Sequence, residues 1–184
     1  MELITPITVQ CISGVEIHSI GDGSCLLHSI LRGFNVKYIQ STSLRRRQIV
    51  RQVRNALANV LMETIDGKRV YESLGQGEVA NLGKTVPELS LRGLQIHFRS
   101  SNPLGQESLE LISRFLKIDL LIYDVAKGKP YQFGMPNPYK KGRGSVVILY
   151  RPGHYNLFGI NIKGKLKTLM NFDDSLVSKW CDDN

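Results

Sequence analysis

Residues 21–30, Gly21-Asp22-Gly23-Ser24-Cys25-Leu26-Leu27-His28-Ser29-Ile30, decide how the rest of the chain is read. Gly21-Asp22-Gly23 is a turn signal. After it Leu26, Leu27, Ile30, Leu31 and Phe34 fall at helical spacing, which predicts a helix from Cys25 to about Phe34. A thiol reacts as the thiolate, and a helix N-terminus, with its partial positive charge, favours that anion. The same turn offers backbone N–H groups to a developing oxyanion, and its glycines permit close approach of a substrate. On residue type alone the plainer alternative stands, because an isolated Cys opening a helix is more often a small buried hydrophobe than a nucleophile.

A nucleophilic thiol needs a base, and the chain has four histidines. His28 lies on the same helix, on the adjacent face, at a poor angle to Cys25. His97 falls in a predicted helix with no polar partner evident nearby, and His18 in an extended stretch before the turn. His154 stands in Gly153-His154-Tyr155-Asn156. Asn156 follows it by two residues, so in an extended strand both side chains share a face. An amide there can hold the imidazole in a productive tautomer. His154 is therefore the best base on spacing, although a His in a hairpin is more often simply exposed.

Outward from these residues the elements follow. The first twenty residues alternate weakly and suit one or two short strands. Ile49, Val53, Leu57, Val60, Leu61 and Ile65 form one helical stripe, with Ser43 as a plausible cap and Asp66-Gly67 as the end. Residues 67–86, punctuated by Gly75, Gly77 and Gly83, mix helix and loop. Pro87 suits the first turn of a helix reaching about Phe98. A helix from about Gln106 to Lys117 follows the break at Asn102-Pro103. Residues 118–123 form an apolar strand of the central kind, and 131–133 a short strand. A Lys-rich loop with Pro136, Pro138, Gly142 and Gly144 comes next. Residues 146–150 and 155–162 pair as a hairpin across Pro152-Gly153, and the end adds an edge strand or a short helix near 174–180. Helices early and sheet late predict an α+β fold.

The 184 residues suit one domain, with no repeat and no shift in composition. The start, MELITPITVQ, lacks the charged and apolar pattern of a secretory signal. The longest apolar runs, DLLIYDV and SVVILY, are a strand long, too short for a membrane helix. The expectation is an intracellular protein, cytoplasmic or nuclear, with no membrane contact. Cys11, Cys25 and Cys181 are scattered and form no C-x-x-C, so neither a zinc site nor a disulfide framework is signalled. The net charge of +8 gathers at Arg45, Arg46, Arg47, Arg51 and Arg54, at Lys140, Lys141 and Arg143, and at Lys163, Lys165 and Lys167. Such clusters are usually solvated faces; contact with an acidic partner is the alternative.

Three blocks carry a resemblance. Asp22-Gly23-Ser24-Cys25 with its apolar helix resembles the N-terminal active-site block of the ovarian-tumour (OTU) family of cysteine peptidases. Gly105-Gln106-Glu107-Ser108-Leu109-Glu110-Leu111-Ile112-Ser113, leading into the strand at 118–125, is similar to that family's middle block. His154-Tyr155-Asn156 is similar to its C-terminal His block. The order and separations also match, over a motif-bearing core of about 15–162 within a single domain of 1–184. The sequence departs from the family pattern at the aliphatic pair Leu26-Leu27, where an aromatic is common, and at Pro103-Leu104 before the middle block.

The resemblance implies a papain-like α+β fold, with a small central β-sheet between helical layers, and a thiol-dependent deubiquitinase needing no metal or other cofactor. Cys25 would be the nucleophile, His154 the general base and Asn156 the residue orienting it. Asp22 would be either a triad member or a shaper of the oxyanion loop, the second being favoured because Asn156 already suits the orienting role. The partner implied is ubiquitin, polyubiquitin chains or a ubiquitin-like modifier. Compact size without accessory modules resembles the viral members. Two alternatives stand beside this one: an OTU-fold protease cleaving another substrate such as a viral polyprotein, and a basic nucleic-acid-binding module using arginines 47, 51 and 54.

Overall fold

The computed structural model describes residues 3–65, 68–73, 90–105, 108–131, 143–171, 174 and 177. Two strands open the chain, β1 (Ile4–Val9) and β2 (Ile12–Ile17). They are joined by Gln10 and Cys11, both in the left-handed region (φ 46° and 63°). Two such residues in succession match the twist of a tight hairpin.

The later strands are β5 (Asp119–Asp124), β6 (Lys129–Tyr131), β7 (Ser145–Arg151), β8 (His154–Ile162), β9 (Lys165–Lys167) and β10 (Leu169–Met170). Among the described residues they join β1 and β2 in one sheet of order β1-β2-β8-β7-β5-β6. Pairing is antiparallel except between β5 and β7, which run parallel with Asp119 opposite Ser145. β8 pairs with β7 only from His154 to Leu157, and beyond that it follows β2 and β9. β10 takes the vacated place beside β7 at Ser145 and Val146. The sheet therefore curls around β8.

The predicted hairpin at 146–162 is present, turning at Pro152 and Gly153 (φ 76°). Strand 118–123 is β5, buried at every position. The parallel pairing of β5 with β7 was not foreseen, because no pattern within either apolar strand records the direction of its neighbour. The short strand expected at 131–133 is β6, shifted back to Lys129; Phe133, Pro136 and Pro138 lie outside the described residues.

The helices are α1 (Cys25–Phe34), α2 (Val36–Ile39), α3 (Ser43–Val60), α4 (Val70–Ser73), α5 (Leu91–Arg99) and α6 (Leu109–Leu116). α1 begins where predicted. α3 is capped one residue earlier than expected, by Thr42, whose side chain accepts the Arg45 N–H. It ends before Ile65, and Thr64–Ile65 (β3) pairs with Lys68–Arg69 (β4) as a small ribbon. Ser90 caps α5 through the Gly93 N–H; Pro87, the expected start, lies outside the described residues. So do Asp66, Gly67, Gly75, Gly77, Gly83, Gln106, Glu107 and Trp180. α6 stops at Lys117 in the left-handed conformation (φ 56°), a common helix end.

One apolar cluster joins α1, α3, α5 and α6 to one face of the sheet through Leu120, Ile122, Val146, Ile148 and Leu157. Gly33 of α1 packs so closely on β7 that a Cβ there would meet Val146 at 2.7 Å. A second cluster covers the other face with Val9, Leu121, Tyr123, Val147, Leu149, Phe158, Met170 and Val177. This is a mixed helix and strand fold with a curled sheet. The six helices α1–α6 gather on the first face; on the second, the described residues include one helical position, Val177, in the cluster there.

Candidate active site

Cys25 is the first residue of α1. The Ser24 side chain does not cap this helix; its Oγ instead accepts from Arg54 Nη1 at 3.0 Å. Ser24 thus satisfies none of the first N–H groups of α1 with its side chain. The turn ahead of Cys25 is built by two devices. Asp22 Oδ1 accepts the Ser24 N–H at 3.1 Å. Gly23 is left-handed (φ 81°), and a Cβ there would stand 2.2 Å from the Ser101 carbonyl oxygen, so no other residue fits without moving backbone.

Asp22 Oδ2 meets His28 Nε2 at 3.1 Å, and Arg47 Nε lies 3.5 Å away. His28 is buried, with its Nδ1 2.6 Å from the Tyr38 hydroxyl. Burial lowers the His28 pKa, against the pull of Asp22. In the neutral ring the Nε2–H donates to the carboxylate, so Nδ1 accepts from Tyr38. His28 and Asp22 thus brace the turn together.

Arg54 completes the brace. It was expected on a basic face, but it is buried. Its guanidinium donates to the carbonyls of Phe98 (2.9 Å), His97 (3.3 Å) and Asn102 (2.8 Å), and to Ser24. An arginine can satisfy several carbonyls at once because its fork carries five donors. Arg143, expected in a loop cluster, similarly reaches the carbonyls of Ser113 and Ile118 and pairs with Asp119. Arg47, Arg51 and Arg99 remain exposed and line a cavity of about 360 Å³ beside Asp22 and Ser24.

The Cys25 thiol is pushed up from its ordinary range, mainly by burial. Backbone N–H groups of Tyr155, Leu26 and Cys25 itself act against that shift, and the Asp22 charge adds to it. The expectation of a lowered thiol pKa therefore gives way to the opposite net direction, because dehydration of the anion outweighs the helix N-terminus.

His154 opens β8, half-buried. The two segments meet through Tyr155: its backbone favours the Cys25 thiolate, and its carbonyl accepts from Ser29 Oγ of α1 at 3.0 Å. Among the described residues no hydrogen bond joins the Cys25 sulfur to the His154 ring. The ring's hydrogen-bond partner is Ser19, whose Oγ lies 3.3 Å from Nε2. Asn156 is fully buried; its Oδ1 accepts the Ser19 N–H at 3.0 Å, and its Nδ2 donates to Glu16 Oε1 at 2.7 Å. Asn156 thus reaches the imidazole through Ser19.

Sequence reasoning missed Ser19, Glu16 and Arg54. Ser19 and Glu16 meet their partners across the pairing of β2 with β8, more than a hundred residues away in sequence, and nothing local marks either one. Among the described residues no group of three His, Cys, Asp or Glu is placed to hold a metal ion, and no helix is long and apolar enough to cross a membrane.

No family model and no curated protein sequence matches the chain. Among solved structures, one described as an ovarian-tumour (OTU) domain in complex with ubiquitin superposes with a TM-score of 0.58. The two are 18% identical, and the match covers 92% of this chain and 82% of that one. Nearly the whole path of the chain is therefore shared, at an identity where only fold is conveyed, and this chain has the fold of the OTU domain.

Proposed function

We propose that this protein is a cysteine-type deubiquitinase that hydrolyses the isopeptide bond between ubiquitin, or a ubiquitin-like modifier, and a lysine side chain. One observation carries the reading: Cys25 opens a helix whose N-cap side chain makes no capping hydrogen bond, beside the backbone of Tyr155, the residue next to His154, in a chain with the OTU fold. The papain-like arrangement, a helix-borne thiol facing a strand-borne imidazole, belongs to the same reading.

In the proposed reaction the Cys25 sulfur attacks the carbonyl carbon of the modifier's C-terminal glycine as its proton passes to His154. Because burial keeps the resting thiol protonated, transfer and attack are coupled. The N–H groups of Cys25 and Leu26, with the backbone of the 22–25 turn, stabilise the oxyanion. The C–N bond breaks as His154 protonates the lysine amine. Water, giving its proton to His154, then cleaves the thioester and releases the modifier's carboxylate. Asp22 shapes the turn, and Asn156 supports His154 from behind. The contact between thiol and imidazole tightens once substrate is bound, as is common at sites seen without ligand.

The test is reaction with ubiquitin carrying a C-terminal electrophile, read by intact mass. A single adduct on the wild type, absent from Cys25→Ala, is expected. An adduct that persists in Cys25→Ala would remove Cys25 from the reaction, and no adduct on folded wild type would remove ubiquitin.

A second reading has its own observation, the cavity lined by Arg47, Arg51 and Arg99. Contact there with an acidic partner such as a nucleic acid would weaken steeply with salt. It is compatible with the first reading, since the cavity adjoins the turn before Cys25.

A further inference from the structure

Glu16 and Arg151 belong to none of the sequence blocks that pointed to the reaction, yet they end a chain of hydrogen bonds that begins at His154. Every link in it has a fixed polarity. The Arg151 guanidinium can only donate, and it gives two hydrogen bonds to Glu16, at 2.9 Å (Nε to Oε1) and 2.7 Å (Nη2 to Oε2). Glu16 is 2% exposed, and its carboxylate can only accept. It therefore takes the amide N–H of Asn156 Nδ2 at 2.7 Å. This orients the Asn156 amide and turns its Oδ1 to the Ser19 N–H at 3.0 Å. An amide flipped the other way would set donor against donor at Ser19 and acceptor against acceptor at Glu16.

Ser19 is thereby held by its backbone, and its hydroxyl has one proton to give. That proton goes to the Tyr155 carbonyl at 2.6 Å. The Oγ can then meet His154 Nε2, 3.3 Å away, only as an acceptor. The ring nitrogen facing Ser19 must carry the hydrogen, and in a neutral imidazole the other nitrogen, Nδ1, is left with its lone pair.

We propose that Ser19, held in place by Asn156 and the Glu16–Arg151 pair, is a positioning residue that fixes His154 in the Nε2–H tautomer and so makes Nδ1 the atom that takes the Cys25 proton. The inference rests on the reading of His154 as the base. It adds a residue outside the His block, contributed by the segment between β2 and the Cys25 turn. Asn156 then acts on the imidazole at second hand, through the hydroxyl that touches it.

The test has two arms. Long-range ¹H–¹⁵N NMR of the labelled protein, with His154 assigned by comparison with His154→Gln, reads the tautomer without any substrate. At about pH 8, where histidine is ordinarily neutral, wild type should show a protonated Nε2 and a bare Nδ1. Ser19→Ala should move the ring toward a mixture of tautomers, and Ser19→Thr, which keeps the hydroxyl, should restore the wild-type pattern. In the second arm, turnover of a ubiquitin–lysine substrate by Ser19→Ala should fall in kcat by about tenfold or more, with KM little changed. Glu16→Gln should fall in the same direction, its amide spectrum serving to confirm that it folds. A wild-type ring protonated at Nδ1, or a Ser19→Ala protein with unaltered tautomer and kcat, would overturn the proposal. If wild type proves inactive on ubiquitin, the ubiquitin reading fails alone, and the NMR arm still decides the role of Ser19.

Discussion

His28 and Cys25 stand within one turn of the same helix, and burial acts on both by disfavouring the charged form. For the thiol this raises the pKa, and for the imidazole it lowers it. The sign for stability follows. A folded-state His28 pKa below the ordinary value means that, as pH falls through about 6.5, the unfolded chain takes up a proton that the folded one refuses. Stability contributed by neutral His28 is therefore present above about pH 6.5 and is lost as pH falls toward the lower folded value. The unfolding free energy of wild type, from urea titrations at about pH 7.5 and about pH 5.5, should drop more than that of His28→Gln. Equal drops would mean that His28 is charged in the fold. Helical spacing placed His28 on a face of α1 adjacent to that of Cys25. It could not show the Tyr38 hydroxyl and the Asp22 carboxylate that engage the ring, since those contacts need α2 and the turn already folded. The same division holds at His154. The i, i+2 spacing to Asn156 was legible, whereas Ser19 was not, because only strand pairing across the fold brings it there.

At the scale of elements, α3 does more than cover the sheet. Its Arg54 crosses from the helix to the 97–102 segment and to Ser24, tying three pieces of chain that share no sequence neighbourhood. Replacing Arg54 with Met would keep much of the bulk but leave the carbonyls of Phe98 and Asn102 without this donor. Each buried polar group so stranded costs about 1–3 kcal/mol, so Arg54→Met should lose about 3 kcal/mol or more, measured as a shift in the urea midpoint. It should also slow adduct formation at Cys25, because the turn loses its brace. A loss below about 1 kcal/mol, within the range of ordinary surface substitutions and slightly beyond, would show that water replaces the guanidinium at no real cost. The apolar stripe of this helix could be read at sight. Arg54 could not, because an arginine beside that stripe has the same pattern whether it faces solvent or carbonyl oxygens. α1 was the most legible element, its turn, its first residue and its length all following from residues 21–34.

For the whole molecule, charge is the widest-reaching feature. The chain carries a net +8, and internal pairs such as Arg151–Glu16 and Lys167–Asp174 leave that surplus unchanged, because both partners are already counted in it. The surplus repels itself across the surface, and screening should relieve it. Raising NaCl from about 50 to about 500 mM should therefore raise the melting temperature by a few degrees. A fall would mean that exposed ion pairs outweigh the repulsion. The order of helices early and sheet late was legible and gave the fold class. The curl of the sheet was not, because it depends on β8 changing neighbours midway, and no pattern along one strand records which strand lies beside it.

The hairpin turn at Gln10–Cys11 carries a practical consequence. Cys11 is exposed at its tip, whereas Cys25 is buried beneath the strand that carries His154. A small indiscriminate alkylating reagent should consequently modify Cys11 well before Cys25, and its labelling would say nothing about turnover. Because the chain also carries Cys181, a background with both Cys11→Ser and Cys181→Ser leaves Cys25 as its single thiol. In that background the gap between a bare maleimide and a ubiquitin-borne electrophile measures how far binding, rather than intrinsic nucleophilicity, brings Cys25 into play.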